Sequence, residues 1–193
     1  MGLVILIIGL VLFIATHVFV TRRQARAALI ERIGLLPYRA LFSLVAIIAV
    51  VLIAWGFGRY MHAGDIPIWT PPRWTRHLTV TLVWIAVVLM TAGYIRGNIY
   101  RKLKHPFLAG VKLWAVAHLL ANGDLGGIIL FGSILAWAVY DRISLKHRTD
   151  AGGPVIPTGG IASDVVAVVV GTAIYLALGF LFHPLFIGLP VFG

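Results

Sequence analysis

GLVILIIGLVLFIATHVFV, residues 2–20, contains no charged side chain. A helix needs about 20 mostly apolar residues to cross the hydrocarbon core of a bilayer, and this stretch supplies nearly all of them. Arg22, Arg23 and Arg26 follow it directly. A cleavable leader carries its basic residues ahead of the apolar run. Here they come after it, so the segment is expected to stay as a membrane anchor with its N-terminus outside. Position 6 is Leu6 rather than Ser or Thr, so the pattern for an acyl chain on Gly2 is not met.

The same pattern recurs along the chain. Apolar runs at about 38–57, 77–95, 106–122, 125–141 and 163–183 bring the expected spans to six. The whole chain of 193 residues is 61% hydrophobic and 11% charged, with a mean hydropathy of +1.00. The expected fold is an all-α polytopic transmembrane bundle, one membrane domain over residues 1–193. The net charge of +10 does not point to nucleic acid, because the basic residues gather in the loops between apolar runs. Twelve of them fall in or beside the segments 21–37, 96–105 and 142–162. Only Arg59, Arg73 and Arg76 fall in the intervening loops, and Lys112 lies inside a span. Basic loops stay on the cytoplasmic side, so both termini are expected outside and anionic headgroups are the expected partners. With no cysteine, disulfides and thiol catalysis are excluded.

The loops have their own signatures. Trp69, Trp74, Pro67, Pro71 and Pro72 read as an interfacial lid, since indoles favour the headgroup level. Gly152-Gly153-Pro154 through Pro157-Thr158-Gly159-Gly160 should be irregular, with Ser163 or Asp164 capping the helix that follows. Asn122-Gly123-Asp124 makes a tight connection between the fourth and fifth spans. Gly123 with Gly127, and Gly132 with Ala136, have the spacing that lets helices approach closely.

Chemistry rests on the histidines. The chain has seven of them, against one Glu and five Asp. An imidazole in hydrocarbon must line a cavity, bond to a partner or ligate a metal. His17 and His118 lie inside apolar runs, while His77, His105 and His183 sit at their ends. Pro106 suits a first helical turn, which puts His105 just ahead of a helix N-terminus where exposed amides attract anions. His118 is 13 residues on, a rotation of about 220°, so the two do not share a face. Trp114, His118 and Asn122 do. Lys112 lies about 10 Å into the fourth span, where it either snorkels to the headgroups or meets an acidic group of a ligand. His62 and His147 read as solvated loop residues.

The stretch Lys104-His105-Pro106-Phe107-Leu108-Ala109-Gly110 through Trp114 to His118-Leu119-Leu120-Ala121-Asn122-Gly123-Asp124 resembles the NnrU family, as does Leu12-Phe13-Ile14-Ala15-Thr16-His17. The number of spans and the closing His183-Pro184 segment fit the same family over nearly the whole chain. The resemblance implies a multi-pass protein of the bacterial inner membrane tied to nitrite and nitric oxide metabolism. A plant relative, 15-cis-ζ-carotene isomerase, is a haem b protein. By motif position, the resemblance makes His17 and His118 the haem and metal ligands. Lys112 or arginines would stand near the propionates, and His105 is a further cofactor-binding candidate. The plant enzyme has a cysteine where this chain has Ala115, so exchange of His for Cys on an iron is ruled out. The implied substrate is small or lipophilic, and other denitrification membrane proteins are possible partners.

Depth within the spans sets a condition on that pair. His17 lies about 9 Å toward the basic side of its span and His118 about 6 Å toward the other side. They meet only if the first helix is displaced or the hairpin of spans four and five sits deep. Depth alone pairs His17 with His105 and groups His77, His118 and His183 as an outer cluster.

Two other functions remain open. One is an accessory protein for assembly of a denitrification complex, in which the histidines pack and the basic loops dock a partner. The other follows from His105-Pro106 to Gly110, which is similar to a motif of membrane methyltransferases of the isoprenylcysteine carboxyl type that use S-adenosylmethionine. Lys104 replaces their arginine, losing the planar fork that grips carboxylates.

Overall fold

The computed structural model describes residues 1–148 and 156–192. It is all-helical among those residues. α1 (Gly2–Thr21), α3 (Leu35–His62), α4 (Arg73–Ala92) and α7 (Leu125–Lys146) are each long and apolar enough to cross a membrane. So is the run Ile161–Ile187. It is α-helical as α8 (Ile161–Ala177) and then π-helical over Leu178–Ile187. α6 (Pro106–Ala121) is apolar but shorter. Every expected apolar run is therefore a helix, five of them of membrane-crossing length. Two further helices, α2 (Arg23–Ile33) and α5 (Asn98–Leu103), occupy segments that read as loops.

The chain gathers into two units. The first comprises residues 1–68 and 124–146, holding α1, α2, α3 and α7. α1 and α3 run antiparallel and approach closely through glycines. A Cβ on Gly9 would meet Ile53 N at 2.8 Å, and one on Gly56 would run into the backbone of Leu6. α7 runs parallel to α1, since His17 faces Trp137 and Thr21 faces Tyr140. Ala63 to Ile68 leads out of α3, and its Ile66 carbonyl accepts the Leu125 amide at 2.9 Å. Asp124 is 5% exposed and caps α7, its carboxylate accepting the Gly127 amide at 2.7 Å. α3 turns Leu44, Ile47, Val51 and Trp55 outward, an apolar stripe at helical spacing whose natural neighbour is lipid.

The second unit comprises residues 69–123 and 147–193. α4 is its centre, packing antiparallel against both α6 and α8. Gly110 of α6 sits where a Cβ would meet the Ala86 carbonyl at 2.5 Å. The buried Thr79 hydroxyl donates to the Ala117 carbonyl at 2.9 Å. On the other side, Trp84 Nε1 donates to Thr172 Oγ1 at 2.9 Å and the Tyr175 hydroxyl to the Val80 carbonyl at 3.1 Å. Pro184 accounts for the π-helical turn. It lacks an amide hydrogen and its ring crowds the carbonyl four residues back. Widening to five-residue hydrogen bonding, as from Gly188 to His183 at 2.9 Å, carries the helix past it.

Three local expectations are revised. Asp164 does not cap its own helix. It reaches α5, where its two carboxylate oxygens accept the Asn98 and Ile99 amides at 3.0 and 2.9 Å. Gly132 faces open space and Gly123 lies against the Trp69 carbonyl, so the tight helix contacts come from other glycines. Of the segment expected to be irregular, Pro157 to Gly160 is irregular, and Gly152 to Pro154 lie outside the described residues.

Candidate functional site

His17 lies in the first unit, four residues from the end of α1. Its ring stacks on Phe13 at 3.9 Å and meets Phe42 and Trp137 edge-on at 5.3 and 5.2 Å. Its Nδ1 is 2.7 Å from the Phe13 carbonyl oxygen. A carbonyl only accepts, so Nδ1 carries the hydrogen and the ring's lone pair is on Nε2. The side chain is thus a fixed tautomer in an aromatic cage.

His118 lies in the second unit, near the end of α6. Its Nδ1 donates to the Trp114 carbonyl at 2.8 Å and its ring leans on the Trp114 indole at 4.8 Å. Asn122 Nδ2 donates to the His118 carbonyl at 2.8 Å. Trp114, His118 and Asn122 therefore follow one another up one face of α6. The register of α4 against α6 and α8 sets His77, His118 and His183 at the same end of this unit. His183 Nδ1 donates to the Leu178 carbonyl at 2.9 Å, five residues back, as the π-helix dictates. His77 is exposed near the start of α4.

His105 occupies the N-cap position of α6 without a side-chain capping bond, and Pro106 takes the first helical position. Lys104 before it has a φ of 61°, which breaks α5 from α6. Lys112 is half-buried in α6, about 9 Å along the helix from His118. His62 is exposed and donates from Nδ1 to the Gly58 carbonyl at 2.7 Å, and His147 is also exposed. Trp69 and Trp74 are 40% and 63% exposed, as an interfacial pair requires. Among the described residues, no three His, Asp or Glu side chains converge as a metal-binding group.

Trp137 was not anticipated. It lies 120 positions from His17 in the sequence, and only the parallel packing of α1 and α7 joins them. A groove of about 310 Å³ opens between α4 and α8, lined by Val80, Trp84, Thr172 and Tyr175. Its polar atoms already pair with one another across the two helices.

Long apolar helices with lipid-facing stripes and imidazoles embedded in them define a polytopic α-helical membrane protein. The chain matches the family model described as NnrU protein over residues 5–191, and it belongs to the NnrU family. No curated protein and no solved structure matches it.

Proposed function

We propose that this NnrU-family membrane protein holds haem b through intramembrane histidines, His17 in the first unit and His118 in the second each being a candidate ligand. The supporting observation is their shared hydrogen-bond polarity. Each donates Nδ1–H to the carbonyl one turn back, which fixes the ring and puts the lone pair on Nε2. His62 does the same at an exposed helix end. The bond alone does not mark a ligand, so the reading also rests on the apolar aromatic setting of His17 and His118. Lys112 is the cation on α6 for a propionate, and His105 marks the start of that helix. His183 is another imidazole of the second unit. Bound haem would supply a redox centre whose potential follows its axial ligands and burial. The role lies in nitrite or nitric oxide metabolism of a bacterial inner membrane, or in cis–trans isomerisation of a lipophilic polyene.

The test is an absorption spectrum of the detergent-purified protein, oxidised and dithionite-reduced, after expression with haem precursor. The expected result is a Soret band and a sharp reduced α-band, both lost in His118→Ala. A change from six- to five-coordinate spectra in His17→Ala or in His183→Ala names the second ligand. A folded, monodisperse protein that stays colourless after haem titration defeats the proposal and leaves the accessory-protein reading in front.

A further inference from the structure

Leu189 to Phe192 fold back on the second unit as a strap. Gly188 closes the π-helical run in the left-handed region, with a φ of 77° and open space where a Cβ would stand. The chain then turns toward α4. Arg76, near the start of that helix, donates from Nη2 to the Pro190 and Val191 carbonyls at 3.3 and 3.2 Å. Phe192 comes back to the other helical run. Its ring lies 5.5 Å from Tyr175 and 4.6 Å from Phe180. It covers Gly179, where a Cβ would run into the ring. Gly179 is thus a notch for Phe192, and Arg76 is a catch for the two carbonyls before it.

These contacts fix where the strap lies against the α4–α8 groove. Arg76 is one turn before Val80 on α4, and Gly179 is one turn after Tyr175. Val80 and Tyr175 both line the groove, and the Tyr175 hydroxyl donates to the Val80 carbonyl. The strap therefore crosses one turn beyond the groove's lining, at the end where α4 begins. Val80 is about 10 Å into α4, so the strap lies between the groove and the water on that side. The flank of the groove is open to lipid, with Trp84 and Leu176 38% and 43% exposed. The strap is also lightly held. Among the described residues, Leu189 to Phe192 make no backbone–backbone hydrogen bond, and Leu189, Pro190 and Arg76 are all exposed. A segment fixed by few buried contacts opens locally at low cost.

We propose that Leu189–Phe192 is a gate at one end of the α4–α8 groove. Closed, with Phe192 in the Gly179 notch, it screens the groove from the aqueous side on which α4 begins. Open, swung on Gly188, it lets water and small polar solutes reach Val80 and Tyr175. Because the flank faces lipid, the open gate gives one site access from both phases.

The chain has no cysteine, so Val80→Cys supplies a single thiol under the gate. The full chain in proteoliposomes is treated with a membrane-impermeant maleimide on that side, and the labelling rate is measured. Slow labelling is expected with the gate intact. Arg76→Met removes the catch and should speed labelling about tenfold. Gly188→Ala places a Cβ in open space but disfavours the left-handed turn, and should speed labelling about fivefold. Val169→Cys, at a position on α8 that is 62% exposed and faces lipid, should stay unlabelled in all three backgrounds. An equal rise at Val169→Cys would mean a loosened fold rather than a gate and would overturn the proposal. So would a rate at Val80→Cys that neither gate variant changes, or one that is already as fast as a free thiol with the gate intact.

Discussion

His17 has three ring neighbours, one local and two remote. The local one, Phe13, supplies both the ring it stacks on and the carbonyl it donates to. Of the remote ones, Phe42 comes from α3 and Trp137 closes the cage from α7. Packing and ligation can be separated here by His17→Phe, which keeps a flat ring in the cage and removes both nitrogens. The variant is expected to unfold thermally within about 1.5 kcal/mol of the parent, as volume-conserving swaps do, while losing any metal-dependent absorbance that His17 supports. A much larger loss of stability would show that the imidazole hydrogen bond is structural. The local half of this arrangement was legible, because a four-residue spacing on a helix puts side chains on one face. The same spacing correctly aligned Trp114, His118 and Asn122. Trp137 was not legible, because no local pattern says which helix lies beside α1. The notch that Gly179 offers Phe192 was equally hidden, since it is a property of the packed structure.

The helices themselves divide along the same line. The six apolar ones announce themselves by hydropathy. α2 is a case of a signal outweighed, as Arg23-Gln24-Ala25-Arg26-Ala27-Ala28-Leu29 is rich in strong helix formers but its charge reads as a loop. α5 forms because Asp164, distant in sequence, caps it, and no local signal could reveal that. Pro184 reads as a helix stop, yet the chain continues through it by widening its turn. Helix contact has a sharp test at Gly110, where α4 and α6 approach closely. Gly110→Leu forces a branched side chain against the Ala86 carbonyl and should destabilise the second unit by about 1–3 kcal/mol. Gly132→Leu, at a site facing open space, should change little. Unfolding in detergent, followed by circular dichroism, compares them. Equal effects would mean that helix propensity, not packing, governs both.

Across the whole molecule, charge sets the orientation. Twelve basic residues lie in or beside three alternate loops, and the rule that such loops stay cytoplasmic predicts that both ends of the chain lie on the opposite side. Fluorescent and phosphatase reporters fused at Met1, at Lys102 and after Phe192 should report one side for the two ends and the other for Lys102. Any other pattern would change the number of crossings. The first unit adds a consequence that belongs to synthesis. It is discontinuous: α1, α2 and α3 leave the ribosome first, and the chain of α4, α5 and α6 must follow before α7 appears. Until then α1 has an unoccupied flank in the bilayer and His17 lacks its third aromatic wall. A nascent chain stalled at Gly123 would hold every histidine of that unit and still be unable to mature it.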